Sequence, residues 1–192
     1  MPDREVKTIQ DLIFYQYAKI IVRSMTDAAT GIEAKRNNYG IIKNKFRALK
    51  SGEISWSDIL REDKQAIEAG QVCAYCGATE SLQWEHIVPK SISIKPECKT
   101  CERILGIHNQ VYACASCNGA HGKWNKGLYT FYKQTYPENK KFYDVIPPLV
   151  EKKYLKTIYY CHQCAGTLTK CDMAGDGELT VLDLDYPIMN FR

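Results

Sequence analysis

The sequence predicts an α+β chain, a small zinc-stabilised core held between an N-terminal helical region and a C-terminal segment that is helical and linked by zinc. Three observations carry this. Apolar residues recur at helical spacing from Thr8 to Ala29, eight of the nine cysteines fall into four C-x-x-C pairs, and three of those pairs crowd into the stretch Cys73 to Lys126, which is short of long periodic segments. Metal must replace a hydrophobic core there. The chain is accordingly read as 1–71 (helical, with a basic face), 72–136 (metal-bound core) and 137–192 (C-terminal segment).

The N-terminal helix follows from Ile9, Leu12, Ile13, Tyr17, Ile20 and Ile21, which share one face at a period of 3.6. Lys35 to Lys50 holds six basic residues and no acid above a stripe of Ile41, Ile42, Phe46 and Leu49. Its basic face reads either as solvated surface or as a phosphate contact. Ser55 with Asp58 forms a capping-box pattern opening a helix that Gly70 ends. Beyond the core, Leu128, Phe131 and Tyr132 mark a helix stopped at Pro137. From His121 to Lys156 there are eight lysines against three acids, whereas Cys171 to Phe191 carries five acids and no base.

Composition excludes several classes. A hydrophobic share of 45% with 13 tyrosines belongs to a folded chain, not a disordered one. No apolar run approaches the roughly 20 residues that span a bilayer, and the start MPDREVKTIQ lacks the apolar stretch of a signal peptide, so the expectation is an intracellular, cytoplasmic protein. A net charge of +4 permits a polyanionic partner without demanding one.

Cys73-x-x-Cys76 and Cys114-x-x-Cys117 can each supply half of a tetrahedral zinc site, and four thiolates leave no open position, so this zinc is structural. Cys98-Lys-Thr-Cys101 lacks two ligands, and Cys161-His-Gln-Cys164 is its natural complement for a second zinc, with Cys171 or His162 able to substitute for one ligand. The competing readings of these pairs are a redox dithiol or buried thiols.

Between the first two pairs lie Trp84-Glu85-His86-Ile87-Val88-Pro89 and Asn109, and Asn118 follows Cys117 directly. The set Cys73-Ala-Tyr-Cys76-Gly77, Glu85-His86-Ile87-Val88-Pro89, Asn109 and Cys114-Ala-Ser-Cys117-Asn118 resembles the HNH endonuclease family, whose fold is a ββα-metal motif. The resemblance covers about Val72 to Lys126. It implies that His86 is the general base, that Glu85 and Asn118 hold a catalytic Mg²⁺ or Mn²⁺, and that Asn109 ties the loop between the strands and orients His86. His121 is a third ligand or a phosphate contact; it stands where relatives commonly carry lysine, and Lys123 comes two places later.

The chemistry of these residue types agrees. Phosphodiester hydrolysis needs a deprotonated water and a cation to absorb charge on phosphate and leaving oxygen. Imidazole titrates near neutrality, and carboxylate and amide oxygens suit a hard cation. Adjacent strand residues point to opposite faces, so Glu85 and His86 can share a site only if the strand end is twisted or bulged. Asn118 is expected to begin a short helix whose amides lie near the phosphate.

Asp172 to Asp183 looks like a calcium loop, with acids at its first, fifth and twelfth places and glycine at the sixth, but Ala174 supplies no oxygen at the third. A plain turn is the alternative. The resemblance implies a metal-dependent endonuclease acting on DNA, double-stranded by expectation. Cutting both strands would require a symmetric dimer, and a stand-alone chain of this build suits a restriction or defence role. The rival reading is a non-catalytic zinc module that binds nucleic acid, in which Glu85 and His86 have no chemical task.

Overall fold

The computed structural model describes residues 3–30, 38–56, 71–92, 104 and 106–186. Most of the helix expected between Ser55 and Gly70, and the pair Cys98/Cys101, lie outside them. Among the described residues the chain is mixed helix and sheet, with one two-stranded antiparallel sheet.

Helix α1, Ile9–Thr30, matches the expected amphipathic segment. The Asp11 amide donates to Thr8 Oγ1 at 3.2 Å and the Lys7 amide to Asp11 Oδ2 at 3.1 Å, so side chains satisfy amides that a helix start leaves unpaired. Ile9, Ile13, Tyr17 and Ile20 are fully buried. Helix α2, Asn38–Ser51, lies along α1 and buries Phe46 and Leu49.

The basic residues of α2 are turned onto the protein's own acids. Lys43 reaches Glu5 at 2.8 Å and Asp3 at 3.8 Å, Arg47 reaches Glu5 at 2.6 Å, and Lys50 reaches Asp11 at 2.7 Å. Arg47, then Lys43, hold the Glu5 carboxyl down to about 2. Pairs this exposed add little stability, yet they occupy three of the cations that a phosphate contact on this face would use.

The sheet joins β1, Leu82–His86, to β2, Gln110–Cys114. After it come α3 (Ala115–Asn118), α4 (Leu128–Thr135), α5 (Phe142–Val145) and α6 (Pro148–Ala165). Helix α4 ends before Pro137, as its sequence requires. Helix α6 packs on α1, where Phe14 stacks on Tyr159, and buries Tyr154, Leu155 and Ile158. Proline at its first turn costs no hydrogen bond, and Gly166, at φ 70°, turns the chain out of it. A final turn of 3-10 helix, Val181–Asp185, docks on α4: Asp185 accepts the Thr130 amide at 2.6 Å and the Tyr154 hydroxyl. Its carboxyl group lies 2.1 Å from where a Cβ on Gly127 would stand, so that position must be glycine.

The acidic loop is a turn closed by its own carboxylates. Asp172 spends both oxygens on the Gly175 and Gly177 amides, Asp176 accepts from Glu178, and Asp183 accepts from Met173, Ala174 and Thr180. Each carboxylate thus caps backbone, and the loop's acids form no metal-binding group among the described residues.

Cys161 and Cys164 ride the last turn of α6, the first buried and the second exposed, and their expected partners lie outside the described residues. His162 is fully buried with Nε2 3.2 Å from the Leu184 carbonyl oxygen and Nδ1 2.8 Å from Thr167 Oγ1. Both ring nitrogens are engaged, so it clamps α6 to the C-terminal turn.

Two buried groups give opposite pH dependences. Burial pushes His162 down to about 4. Its folded form resists protonation, so its contribution is present above the unfolded value near 6.5 and is lost as pH falls towards 4. Burial pushes Glu151 up to about 7, against a 2.7 Å hydrogen bond from Tyr129 and the charges of Lys19 and Arg23. Its contribution is present below the unfolded value and is lost as pH rises through 7. Relative to wild type, urea denaturation between pH 4.5 and 6.5 should therefore show His162→Gln losing stability as pH rises and Glu151→Gln gaining it. Parallel pH profiles for the two variants would refute this assignment.

Candidate functional site

The site is built on a hairpin too small to stand alone. Each strand has five residues, and isolated two-stranded hairpins are marginal in water. A turn carrying the first cysteine pair braces it: the Cys73 amide donates to the Ala78 carbonyl at 2.7 Å, Gly77 donates to Cys73 at 2.8 Å, and Ala74 donates to Tyr112 of β2 at 2.8 Å. Gly77 has φ 77°, a conformation that suits glycine at this tight reversal.

The ligand atoms of Cys73, Cys76, Cys114 and Cys117 all lie within 4.8 Å of one another. This cluster is fit for a metal ion such as zinc. The thiols press on one another, with Cys76 and Cys114 sulfurs 3.7 Å apart. Against the burial that raises it, hydrogen bonds from the Cys117 amide and the neighbouring thiols bring Cys114 down to about 7, while burial pushes Cys117 and Cys76 up.

The register is unbroken from Leu82↔Cys114 to His86↔Gln110, and the Ile87 amide continues it by donating to the Asn109 carbonyl at 2.8 Å. The bulge expected at Glu85 and His86 is absent. Alternation therefore sets them on opposite faces. Glu85 shares its face with Val111 and Ala113, both buried, and with Gln83; His86 shares the other with Trp84, Gln110 and Tyr112.

On the inner face Glu85 meets Lys123. Its Oε1 lies 3.2 Å from Nζ, and both residues are buried. Lys123 also donates to the carbonyls of His86 at 3.3 Å and Lys126 at 3.2 Å. The ion pair with Lys123 is the contact that Glu85 Oε1 makes in this buried setting. Burial raises the carboxyl and lowers the ammonium, and each charge draws the other back. Asn118 reaches the same face, donating to Gln83 Oε1 at 3.4 Å. It closes α3 and does not open it, so that helix starts at the second cysteine pair.

On the outer face Gln110 Nε2 lies 2.9 Å from His86 Nε2. An amide nitrogen can only donate, so His86 Nε2 holds a lone pair and the ring proton sits on Nδ1. Asn109 is fully buried and locks the turn just past His86: its Oδ1 accepts from the Val88 amide at 2.8 Å, and its Nδ2 donates to the carbonyls of Val88 at 2.7 Å and Ile104 at 2.9 Å. His121 is exposed, and it forms no three-donor group with Glu85 and His86; the only such group among the described residues is the four thiols.

The hairpin thus brings Glu85 and Asn118 to one face and His86 to the other, with Asn109 behind the turn. Sequence reasoning missed Lys123 as Glu85's partner, although its displaced position was visible. It also missed Gln110 and the Trp84–Tyr112 pair, which alternation from His86 would have flagged. No protein-family profile, curated protein or solved structure matches the chain. No helix among the described residues is long and apolar enough to cross a membrane.

Two outcomes are expected. The purified protein should carry tightly held zinc, measured by metal analysis, and Cys114→Ser should lose it together with the hairpin's protection from hydrogen exchange; full protection without metal would refute the role of the cluster. Lys123→Met strands a buried carboxylate and should cost about 3–5 kcal/mol in urea denaturation, with Lys123→Met/Glu85→Gln recovering much of the loss. Additive effects of the two substitutions would deny the pair.

Proposed function

We propose that the chain is a metal-dependent DNA endonuclease of the HNH type, with His86 as general base. The observation that carries this reading is the thiol-braced hairpin that ends on His86, with the buried amide of Asn109 fixing the turn beyond it and Gln110 holding the ring with a lone pair on Nε2. A water standing in place of the Gln110 amide would meet that lone pair and surrender its proton as the phosphodiester is attacked.

Glu85 and Asn118 fit a hard divalent cation in kind. The buried Glu85 carboxylate already draws one cation, Lys123, to Oε1, and Asn118 would contribute a neutral amide oxygen. Mg²⁺ or Mn²⁺ bound there would supply charge neutralisation at the phosphate and the leaving oxygen. Zinc is the ion we assign to the thiols, since four cysteine ligands form a closed tetrahedral site. Cleavage of double-stranded DNA would then take two copies of the chain, and restriction or defence is a role such a nuclease could serve.

One observation favours the rival, a zinc-braced nucleic-acid-binding module without catalysis: Lys123 stands on Glu85, and His86 faces away from both. Supercoiled plasmid incubated with Mg²⁺ or Mn²⁺ separates the two. The nuclease reading expects cation-dependent nicking that falls about 10²–10⁴-fold in His86→Ala, with zinc content unchanged. Binding without nicking, or equal nicking by the variant, sinks it in favour of the module.

A further inference from the structure

The outer face of the hairpin holds a feature that proton transfer does not use. Trp84 and Tyr112 are cross-strand partners whose rings stack with centroids 4.2 Å apart and planes 26° from parallel. Trp84 is 48% exposed, so a broad indole surface is left open to solvent. Large aromatic surface is usually buried, and here about half of the indole stays open to solvent.

Three facts bear on its occupant. Trp84 and His86 are two residues apart on one strand, hence on one face and about 7 Å apart along it. The six residues of that face, Leu82, Trp84, His86, Gln110, Tyr112 and Cys114, include no acid, because Glu85 points inward to Lys123. Lys153 of α6 brings an ammonium to the same end of the hairpin, donating to the Gln110 carbonyl at 2.9 Å. A flat π surface, an adjacent cation and no carboxylate are complementary to a base on a polyanionic strand.

We infer that the Trp84–Tyr112 pair is a stacking platform for an unpaired nucleobase beside the phosphate presented to His86, and that the substrate is single-stranded or locally opened DNA. This rests on the nuclease reading and narrows its substrate. A base within an intact duplex is stacked on both sides and cannot lie on Trp84, whereas an unpaired base offers a free face. Stacking of this kind is tolerant of sequence, since every base has such a face.

Fluorescence anisotropy with the zinc-loaded full chain, in buffer without added divalent cation or chelator, tests this without cleavage. The probes are a labelled oligothymidylate of about 16 nucleotides and a duplex of equal length. The single strand should bind more tightly than the duplex, Trp84→Ala should weaken single-strand binding about tenfold while leaving duplex binding within twofold, and Trp84→Phe should retain most of it. Near-ultraviolet circular dichroism and zinc content check that the variants keep the fold. Unchanged single-strand affinity in Trp84→Ala, an equal loss for both probes, or no binding by the wild type overturns the platform. Its failure is separable from that of the nuclease reading: a platform that fails beside His86-dependent plasmid nicking leaves the enzyme standing, and Trp84-dependent binding without any nicking leaves only the platform.

Discussion

The convergence of four cysteine sulfurs is the constraint on which the hairpin depends. Two strands of five residues cannot bury enough apolar surface to hold their own register. The cluster joins the turn before β1 to the end of β2, and so closes the hairpin from its base. Supporting contacts follow from it. Tyr136 donates its hydroxyl to the Tyr75 carbonyl at 2.6 Å, and Tyr75 packs edge-on against Phe131, so α4 is pinned to the cysteine turn.

A rigid base leaves the other end of the hairpin free to present side chains. There the demands of packing and of chemistry separate. The inner face is filled by Val111, Ala113 and the Glu85–Lys123 pair, and a buried ion pair is a costly way to fill space when apolar residues would serve. The outer face keeps an imidazole and an indole at the surface. Asn109 links the two by fixing the backbone just beyond His86, using one side chain to satisfy three buried main-chain groups.

The charge pattern has a similar division. Read linearly, the N-terminal basic stretch was as good a candidate for phosphate contact as any in the chain. Folding brings Asp3, Glu5 and Asp11 to Lys43, Arg47 and Lys50, and leaves Lys153 of α6 at the hairpin, on the Gln110 carbonyl. A count of charges along the sequence cannot anticipate that neutralisation, because it depends on which helix end lies beside which helix face.

Patterns that are local in the chain were legible without coordinates. The period of apolar residues specified α1, Pro137 bounded α4, the spacing of Cys73, Cys76, Cys114 and Cys117 specified the metal-binding cluster, and the α+β class followed from their combination. Each is set by bond geometry or by the fixed periods of backbone structure. The partners of individual charged and polar groups were decided only in three dimensions. Asp172 and Asp183 cap amides of their own loop, His162 lies on the Leu184 carbonyl, and Glu85 meets a lysine that lies 38 positions further along the chain. A residue type states what a group can do; what it does is settled by which donor, acceptor or charge reaches it first once water is excluded.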